Sequence, residues 1–317
     1  MEKKKISIVN PCYNEEGNVY AMYQAVKEVM VKLPQYDYEH LFIDNYSKDN
    51  TAKYLEDIAS NDSRVKVILN QKNFGPARSG AYGLFQATGD VVIMIASDFQ
   101  DPPELIPEFL EKIEKGYKIV LGQKHKTKTS KLVNAVRSIY YKIINLFSDN
   151  DEIEHITGFG AYTKEVIDWF KWIDDPEPFF RNTITDLGYK PYLLQYEQQR
   201  RRSGKTSYNF FKYLDAALIS LIATSKAPLR ISTYVGIFTG LISLLIALFY
   251  LIMKLIYWQN FDVGMAPLII GLFFIGSVQL VCTGILGEYI GAILTRVKKR
   301  PLVIEEKRIN FDEVNDK

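Results

Sequence analysis

The 317-residue sequence predicts an α/β domain built on a mostly parallel sheet, followed by an interfacial helix and a transmembrane helix hairpin. Three observations carry this prediction. Short β-branched runs alternate with helix-period stretches over residues 6–122, the pattern of a parallel sheet with right-handed crossovers. The polar clusters that close these runs fall at strand ends, along a single edge of such a sheet. Two uncharged apolar stretches, 231–253 and 264–287, are long enough to cross a hydrocarbon core of about 30 Å.

Ile6-Ser7-Ile8-Val9 reads as the first strand and is closed by Asn10-Pro11-Cys12-Tyr13-Asn14-Glu15-Glu16. A helix is predicted over 17–33, with apolar positions at Val19, Met22, Tyr23, Val26, Val29, Met30 and Leu33. His40-Leu41-Phe42-Ile43 gives a second strand, and the turn Asp44-Asn45-Tyr46-Ser47-Lys48-Asp49-Asn50-Thr51 leads into the next helix. Val65-Lys66-Val67-Ile68-Leu69 forms a third strand ending at Asn70-Gln71-Lys72-Asn73-Phe74-Gly75, before a helix near 76–87. The apolar run over 90–96 reads as a strand buried on both faces. It runs out into Ser97-Asp98-Phe99-Gln100-Asp101-Pro102-Pro103-Glu104, where Asp101 is expected to cap a helix with Pro102 in its first position. Lys118-Ile119-Val120-Leu121-Gly122 is a further strand, followed by a basic loop over 123–131 and a one-faced apolar helix over 132–147.

Tyr13, Asp44, Asn73 and Asp98 each follow a different strand, so the topology brings them to one crevice. A nucleotide fits there, with Tyr13 against a ring and Asp44 accepting from base or ribose; ordinary turn formers are the competing explanation. Asp98 and Gln100 place two oxygen-bearing side chains on one strand-to-helix loop, a donor set suited to Mg²⁺, although Asp98 as a turn cap is the plainer alternative. The basic loop 123–131 either closes over a diphosphate or meets anionic headgroups, and a solvated loop explains it equally.

Composition narrows the field. A formal net charge of +2 gives no electrostatic case for nucleic-acid binding. The 2 cysteines, Cys12 and Cys282, lie in unlike surroundings, so a disulfide is not expected and a reducing compartment is. The 3 histidines lack ligand spacing, and Met1-Glu2-Lys3-Lys4-Lys5 leads into a strand and not into a signal-peptide core.

The segments Pro11-Cys12-Tyr13-Asn14-Glu15-Glu16, Asp44 to Thr51, Asn73-Phe74-Gly75 and Ser97 to Glu104 resemble, in order and spacing, the motifs of GT-A-fold glycosyltransferases of family 2. Within it the chain is similar to the polyisoprenyl-phosphate glycosyltransferases, the branch of dolichol-phosphate mannose synthase and bactoprenol glucosyltransferases. The resemblance implies a GT-A catalytic domain over 1–207 and an inverting transfer of a hexose from a nucleotide sugar to undecaprenyl or another polyprenyl phosphate. UDP-glucose is the first expectation for the donor, then a UDP-N-acetylhexosamine and GDP-mannose. It implies a nucleotide site of Pro11, Tyr13, Asn14, Glu15, Asp44, Asn73, Ser97 and Asp98, catalytic roles for Asp98, Gln100 and Asp101, and Mg²⁺ or Mn²⁺ on Asp98 and Gln100. The acceptor phosphate falls to Arg137, Arg181, Arg201, Arg202, Lys205 and Thr206, where guanidinium forks suit phosphate oxygens.

Three positions depart from the family pattern. Asn45 replaces the second of a paired Asp, Ala96 the first of an Asp-x-Asp, and Thr157-Gly158-Phe159-Gly160 stands where relatives carry Gly-Asp-Phe with a proposed base. The missing base is chemically tolerable. A phosphate monoester has a second pKa of about 6, so its nucleophilic oxygen is anionic at neutral pH.

Residues 208–228 mix apolar and charged positions around an uncharged centre too short to span, and are expected to form an interfacial amphipathic helix. Transmembrane helices are expected over 229–255 and 264–291, with a tail over 292–317 whose residues from 305 onward are expected to be poorly ordered. Lys226, Arg230, Arg296, Lys298, Lys299 and Arg300 flank the pair and place the catalytic domain on the cytoplasmic side of the cell membrane. Family resemblance further implies a homo-oligomer, a tetramer, with a flippase and a periplasmic or lumenal glycosyltransferase downstream. Two other functions stay open: a processive polysaccharide synthase, against which stands the lack of Gln-x-x-Arg-Trp, and an inactive nucleotide-sugar sensor or scaffold, suggested by Ala96, Asn45 and the missing Gly-Asp at Gly158-Phe159.

Overall fold

The computed structural model describes residues 3–124, 156–178, 183–185, 187–199, 222, 225–257, 265–298 and 300–311. They fall into two compact units, one of residues 1–131, 152–207 and 299–317 and the other of 132–151 and 208–298.

The first unit is an eight-stranded sheet in the order β7-β5-β6-β4-β1-β2-β3-β8. Four strands run parallel at its centre: β1 (Lys5–Cys12), β2 (Asp37–Asp44), β3 (Val65–Asn70) and β4 (Val91–Met94). Their side chains are buried on both faces, which explains why these runs lack polar alternation. Ile6, Ile8 and Phe42 face a core shared with α1 (Val19–Val31), α2 (Thr51–Asn61) and α4 (Ile106–Glu114). Val9, Leu41 and Ile43 face the opposite core, with α3 (Pro76–Gln86) and α5 (Lys164–Ile173). Gly75, at φ +88°, makes the left-handed turn that admits Pro76 as the first residue of α3.

Beyond the parallel centre the sheet is mixed. β6 (Ile156–Thr163) runs antiparallel between β4 and β5 (Ile119–Lys124), and β7 (Tyr192–Tyr196) pairs parallel with β5. Gly160 lets β6 close on β5, since a Cβ there would lie 2.2 Å from the Val120 carbonyl oxygen. Two expectations are corrected. Asp101 does not cap a helix: a 3₁₀ turn, Pro103–Leu105, precedes α4, and the Asp101 carboxylate accepts a hydrogen bond from the Tyr196 hydroxyl instead. The tail is not poorly ordered over its described part, because β8 (Glu305–Ile309) pairs antiparallel with β3 and completes the sheet edge.

The second unit contains α6 (Ala227–Ile256) and α7 (Met265–Val297), both long and apolar enough to cross a membrane. At 30 and 33 residues each extends beyond the predicted span. Their apolar side chains are exposed, as expected for surfaces that meet lipid. Inside this unit the Tyr289 hydroxyl donates to the Ser225 carbonyl at 2.6 Å and the Cys282 thiol to the Ser232 carbonyl at 3.7 Å. Cys12 and Cys282 are free thiols. The helix expected over 132–147 and all but a few residues of the interfacial helix expected over 208–228 lie outside the described residues.

Candidate active site

The crevice begins where β1 and β4 end. Asn10, buried inside an otherwise apolar strand, donates through Nδ2 to the Ile95 carbonyl at 2.9 Å. Its Oδ1 lies 2.7 Å from Nε2 of buried His40, so the imidazole donates there through Nε2–H. Burial holds His40 down to about 3, which keeps the ring neutral. Two residues further along β1, the Cys12 thiol shares a 3.1 Å hydrogen bond with the hydroxyl of Ser97, just past β4, and Ser97 Oγ also donates to the Pro11 carbonyl at 3.3 Å. These polar ties fix the backbone from which Tyr13 and Asp98 emerge.

At the end of β2, Asp44 is buried and accepts hydrogen bonds from both the backbone N–H, at 2.9 Å, and the hydroxyl of Ser47. Burial pushes its carboxyl up, with the Ser47 bonds acting in the opposite direction. The β1 and β2 loops are laced together. Asn14 N–H donates to Ser47 Oγ at 2.8 Å, Lys48 N–H to Asn14 Oδ1 at 2.7 Å, and Glu15 N–H to Thr51 Oγ1 at 2.8 Å. Three non-glycine residues at these strand ends, Asn14, Tyr46 and Phe99, have φ between 56° and 68°, and such strain concentrates at functional sites.

Asn45 ties in the third loop. Its Oδ1 accepts from Phe74 N–H at 2.9 Å and from Asn70 Nδ2 at 3.2 Å, while its Nδ2 donates to Asn73 Oδ1 at 3.1 Å. Asn73 Oδ1 also accepts from Gly75 N–H at 2.9 Å. This arrangement needs a side chain that both donates and accepts, which an amide supplies and a carboxylate does not. Pro11, Tyr13, Asn14, Glu15, Asp44, Asn73, Ser97 and Asp98 thus gather at one edge of the sheet, with several of their polar groups committed to holding the loops.

Residues 7–170 match the family model for glycosyl transferase family 2. The chain is 33% identical over 304 residues to an SfII prophage-derived bactoprenol glucosyl transferase of Shigella flexneri, covering 96% of this chain and 98% of that one. It is 32% identical over 310 residues to the uncharacterized glycosyltransferase YkcC of Bacillus subtilis, covering 96% and 94%. The chain belongs to glycosyltransferase family 2. It is also similar to the crystal structure of mannosyl-3-phosphoglycerate synthase from Rubrobacter xylanophilus, at 17% identity and a TM-score of 0.49, over 69% of this chain and 73% of that one. As a family 2 member with this sheet order, the chain has a GT-A domain as its first unit, and the strand-end edge described above is its candidate crevice.

In this family 2 glycosyltransferase, Asp98 is buried and its Oδ1 accepts from Gln100 N–H at 3.1 Å. Asp101 is buried beside it; burial raises its carboxyl, and the Tyr196 hydrogen bond works in the other direction. Among the described residues no three His, Cys, Asp or Glu side chains gather into a metal cage. One carboxylate with a neighbouring amide oxygen nonetheless suits Mg²⁺ or Mn²⁺, which take few protein ligands and fill the remaining positions with water and substrate phosphate. Asp98 and Gln100 fit that description.

Arg137, Arg181, Arg201, Arg202, Lys205 and Thr206 lie outside the described residues. Sequence reasoning missed Asn10, Ser47, Thr51 and Tyr196. A polar Asn in a buried strand was a usable signal for the first. Tyr196 stands 95 residues from its partner Asp101, and nothing local marks it.

Proposed function

We propose that the chain transfers a hexose, glucose from UDP-glucose foremost, to undecaprenyl or a related polyprenyl phosphate at the cytoplasmic face of the cell membrane, with inversion. One observation carries the reading: a single chain holds both a strand-end crevice with two buried carboxylates, Asp44 and Asp98, and two helices of membrane-crossing length. The bactoprenol glucosyl transferases that resemble it along nearly their whole length support the lipid acceptor.

In this reading Asp44 and Tyr13 hold the nucleoside, and Pro11, Asn14, Glu15, Asn73 and Ser97 shape the walls around it. Asp98 and Gln100 hold the divalent ion, which when bound offsets the charge of the departing diphosphate. Asp101, fixed by Tyr196, keeps the loop that carries them in place. An anionic oxygen of the lipid phosphate attacks the anomeric carbon from the face opposite the diphosphate. The new carbon–oxygen bond forms as the old one breaks, and the electron pair leaves on the nucleoside diphosphate. Since the attacking oxygen carries no proton at neutral pH, the absence of a family-type base near Gly158 leaves the chemistry intact. Arg137, Arg181, Arg201, Arg202, Lys205 and Thr206 hold the acceptor phosphate.

The catalytic domain comprises 1–207 together with the strand at 305–309, preceding and following an interfacial helix over 208–228 and the two spanning helices. The assembly is a homotetramer, and the lipid-linked sugar passes to a flippase and then to a glycosyltransferase on the far side of the membrane.

Purified protein in detergent is incubated with Mn²⁺, undecaprenyl phosphate and a panel of nucleotide sugars, and the extracted lipid is weighed by mass spectrometry. A single glycosylated phospholipid names the donor. Nucleotide binding without product from any donor overturns the reading in favour of a sensor.

A further inference from the structure

Residues 300–311 follow the second apolar helix in sequence and return to the sheet of the first unit. They do more there than pair with an edge. Val303 is buried, the Tyr82 hydroxyl on α3 donates to Glu305 at 2.8 Å, and Lys307 reaches Glu56 on α2 at 2.7 Å. Arg308 donates to Gln86, on α3, at 2.9 Å, and its guanidinium lies 4.5 Å from the Phe311 ring. Asn310, in the left-handed region at φ 60°, closes the segment: its Nδ2 donates to the carbonyls of Ala59 at 2.7 Å and Val65 at 2.8 Å.

The contacts nearest the crevice fall on the loop that carries Asn73. Gln71 N–H donates to the Ile304 carbonyl at 2.9 Å, and the pairing of β3 with β8 shifts register between Leu69 and Asn70, just before that loop. Arg78, in the first turn of α3, donates to the Pro301 carbonyl at 2.8 Å while its guanidinium carbon sits 5.9 Å from the Phe74 ring. Loop 71–75 is therefore held from two sides. Asn45 grips it at Asn73 and Phe74, the Ile304 carbonyl grips it at Gln71, and the Pro301 carbonyl holds Arg78 in the helical turn that follows it. Each set of ties removes backbone freedom from a different part of the segment, so the two add in ordering it.

We propose that residues 300–310 are a positioning element of the donor site, setting the place of loop 71–75 and through it the affinity for the nucleotide. The proposal rests on the donor-site reading given above. It assigns no contact with substrate to the segment itself; Asn310 and Arg308 act through β3, α3 and the loop.

The test uses full-length protein carrying Asn310→Gly, which keeps the positive φ but removes the amide, and Arg308→Ala. Val26→Ala, a cavity in α1 remote from the loop, is a destabilised control. Without any nucleotide, amide exchange at Gln71, Phe74 and Gly75 should accelerate by about tenfold in the two C-terminal variants and stay near wild type in Val26→Ala. Steady-state kinetics should show the nucleotide-sugar KM raised about fivefold, with the lipid-phosphate KM and kcat close to wild type. Lowered melting temperature with unchanged exchange in 71–75, or with an unchanged donor KM in active variants, overturns the proposal and leaves β8 a stabilising edge only. Wild-type protein that turns over no nucleotide sugar defeats the donor reading instead, and the exchange comparison still decides whether the segment fixes the loop. Should either variant fail to fold, Tyr82→Phe removes a single tie and is read in the same way.

Discussion

At the residue scale, Asp98 and Asn45 bear the most specific consequences. Asp98→Ala should lower kcat by about 10²- to 10³-fold or more while leaving the melting temperature near wild type, because the carboxylate serves charge stabilisation more than packing. Full activity of this variant with added metal contradicts the proposed role. Asn45→Asp restores the family's carboxylate but faces Asn73 Oδ1 with a second acceptor at a 3.1 Å contact, and rotating Asn73 would forfeit the bond from Gly75 N–H. The expected outcome is a raised donor KM and a loss of about 1–3 kcal/mol in stability, read by kinetics and thermal unfolding. Asn45 therefore reads as a different way of holding the loop and gives no sign of decay. His40 predicts a pH dependence. Its folded-state value of about 3 lies below the ordinary 6.5, so between these values the unfolded chain binds a proton that the folded chain does not. Stability falls as pH drops from about 6.5 towards 3, at about 1.4 kcal/mol per pH unit for this group. Glu39 adds a second loss at lower pH. Burial opposes its charge, but hydrogen bonds from Ser7, Thr88, Lys5 and Lys66 outweigh burial and hold it at about 2, so its contribution is lost as pH falls from about 4.5 towards 2. His40→Gln should flatten the melting-temperature profile between pH 6.5 and 4.5 relative to wild type.

At the element scale, Gly160 is the critical position of β6. Gly160→Ala sets a Cβ 2.2 Å from a backbone oxygen of β5, which cannot yield as a side chain would, and should cost about 1–3 kcal/mol or more in thermal or chemical unfolding. The central strands were legible in the sequence because burial on both faces leaves unbroken β-branched runs, as in Val91-Val92-Ile93. Four strand-end clusters were legible for the same reason. Of the outer strands only β5 was legible, from Ile119-Val120-Leu121: β6 begins in Ile156-Thr157-Gly158 with two glycines among its residues, and β8, Glu-Glu-Lys-Arg-Ile, carries the charges of an edge strand and reads as a solvated tail. Their pairing is decided by partners far along the chain. Asp101 misled for a related reason, since its helix-capping signature is local whereas its partner Tyr196 is distant.

For the whole molecule, the two apolar helices were visible from composition alone, as was the junction with a polar catalytic part. In the proposed reading a GT-A crevice on a chain with helices of this length serves an acceptor that resides in the bilayer, and a polyprenyl phosphate offers an oxygen already charged for attack. Arg201→Ala should accordingly raise the KM for the lipid phosphate by about tenfold or more while leaving the donor KM near wild type, as expected for a guanidinium that binds only the acceptor. The most direct measurement compares wild type and Asp98→Ala with one nucleotide sugar, with and without undecaprenyl phosphate, and follows the lipid by mass spectrometry. The account predicts a lipid heavier by one hexosyl residue with wild type alone, and only when the lipid phosphate is present. Sugar transfer that proceeds equally without the lipid phosphate, or equally in Asp98→Ala, contradicts it.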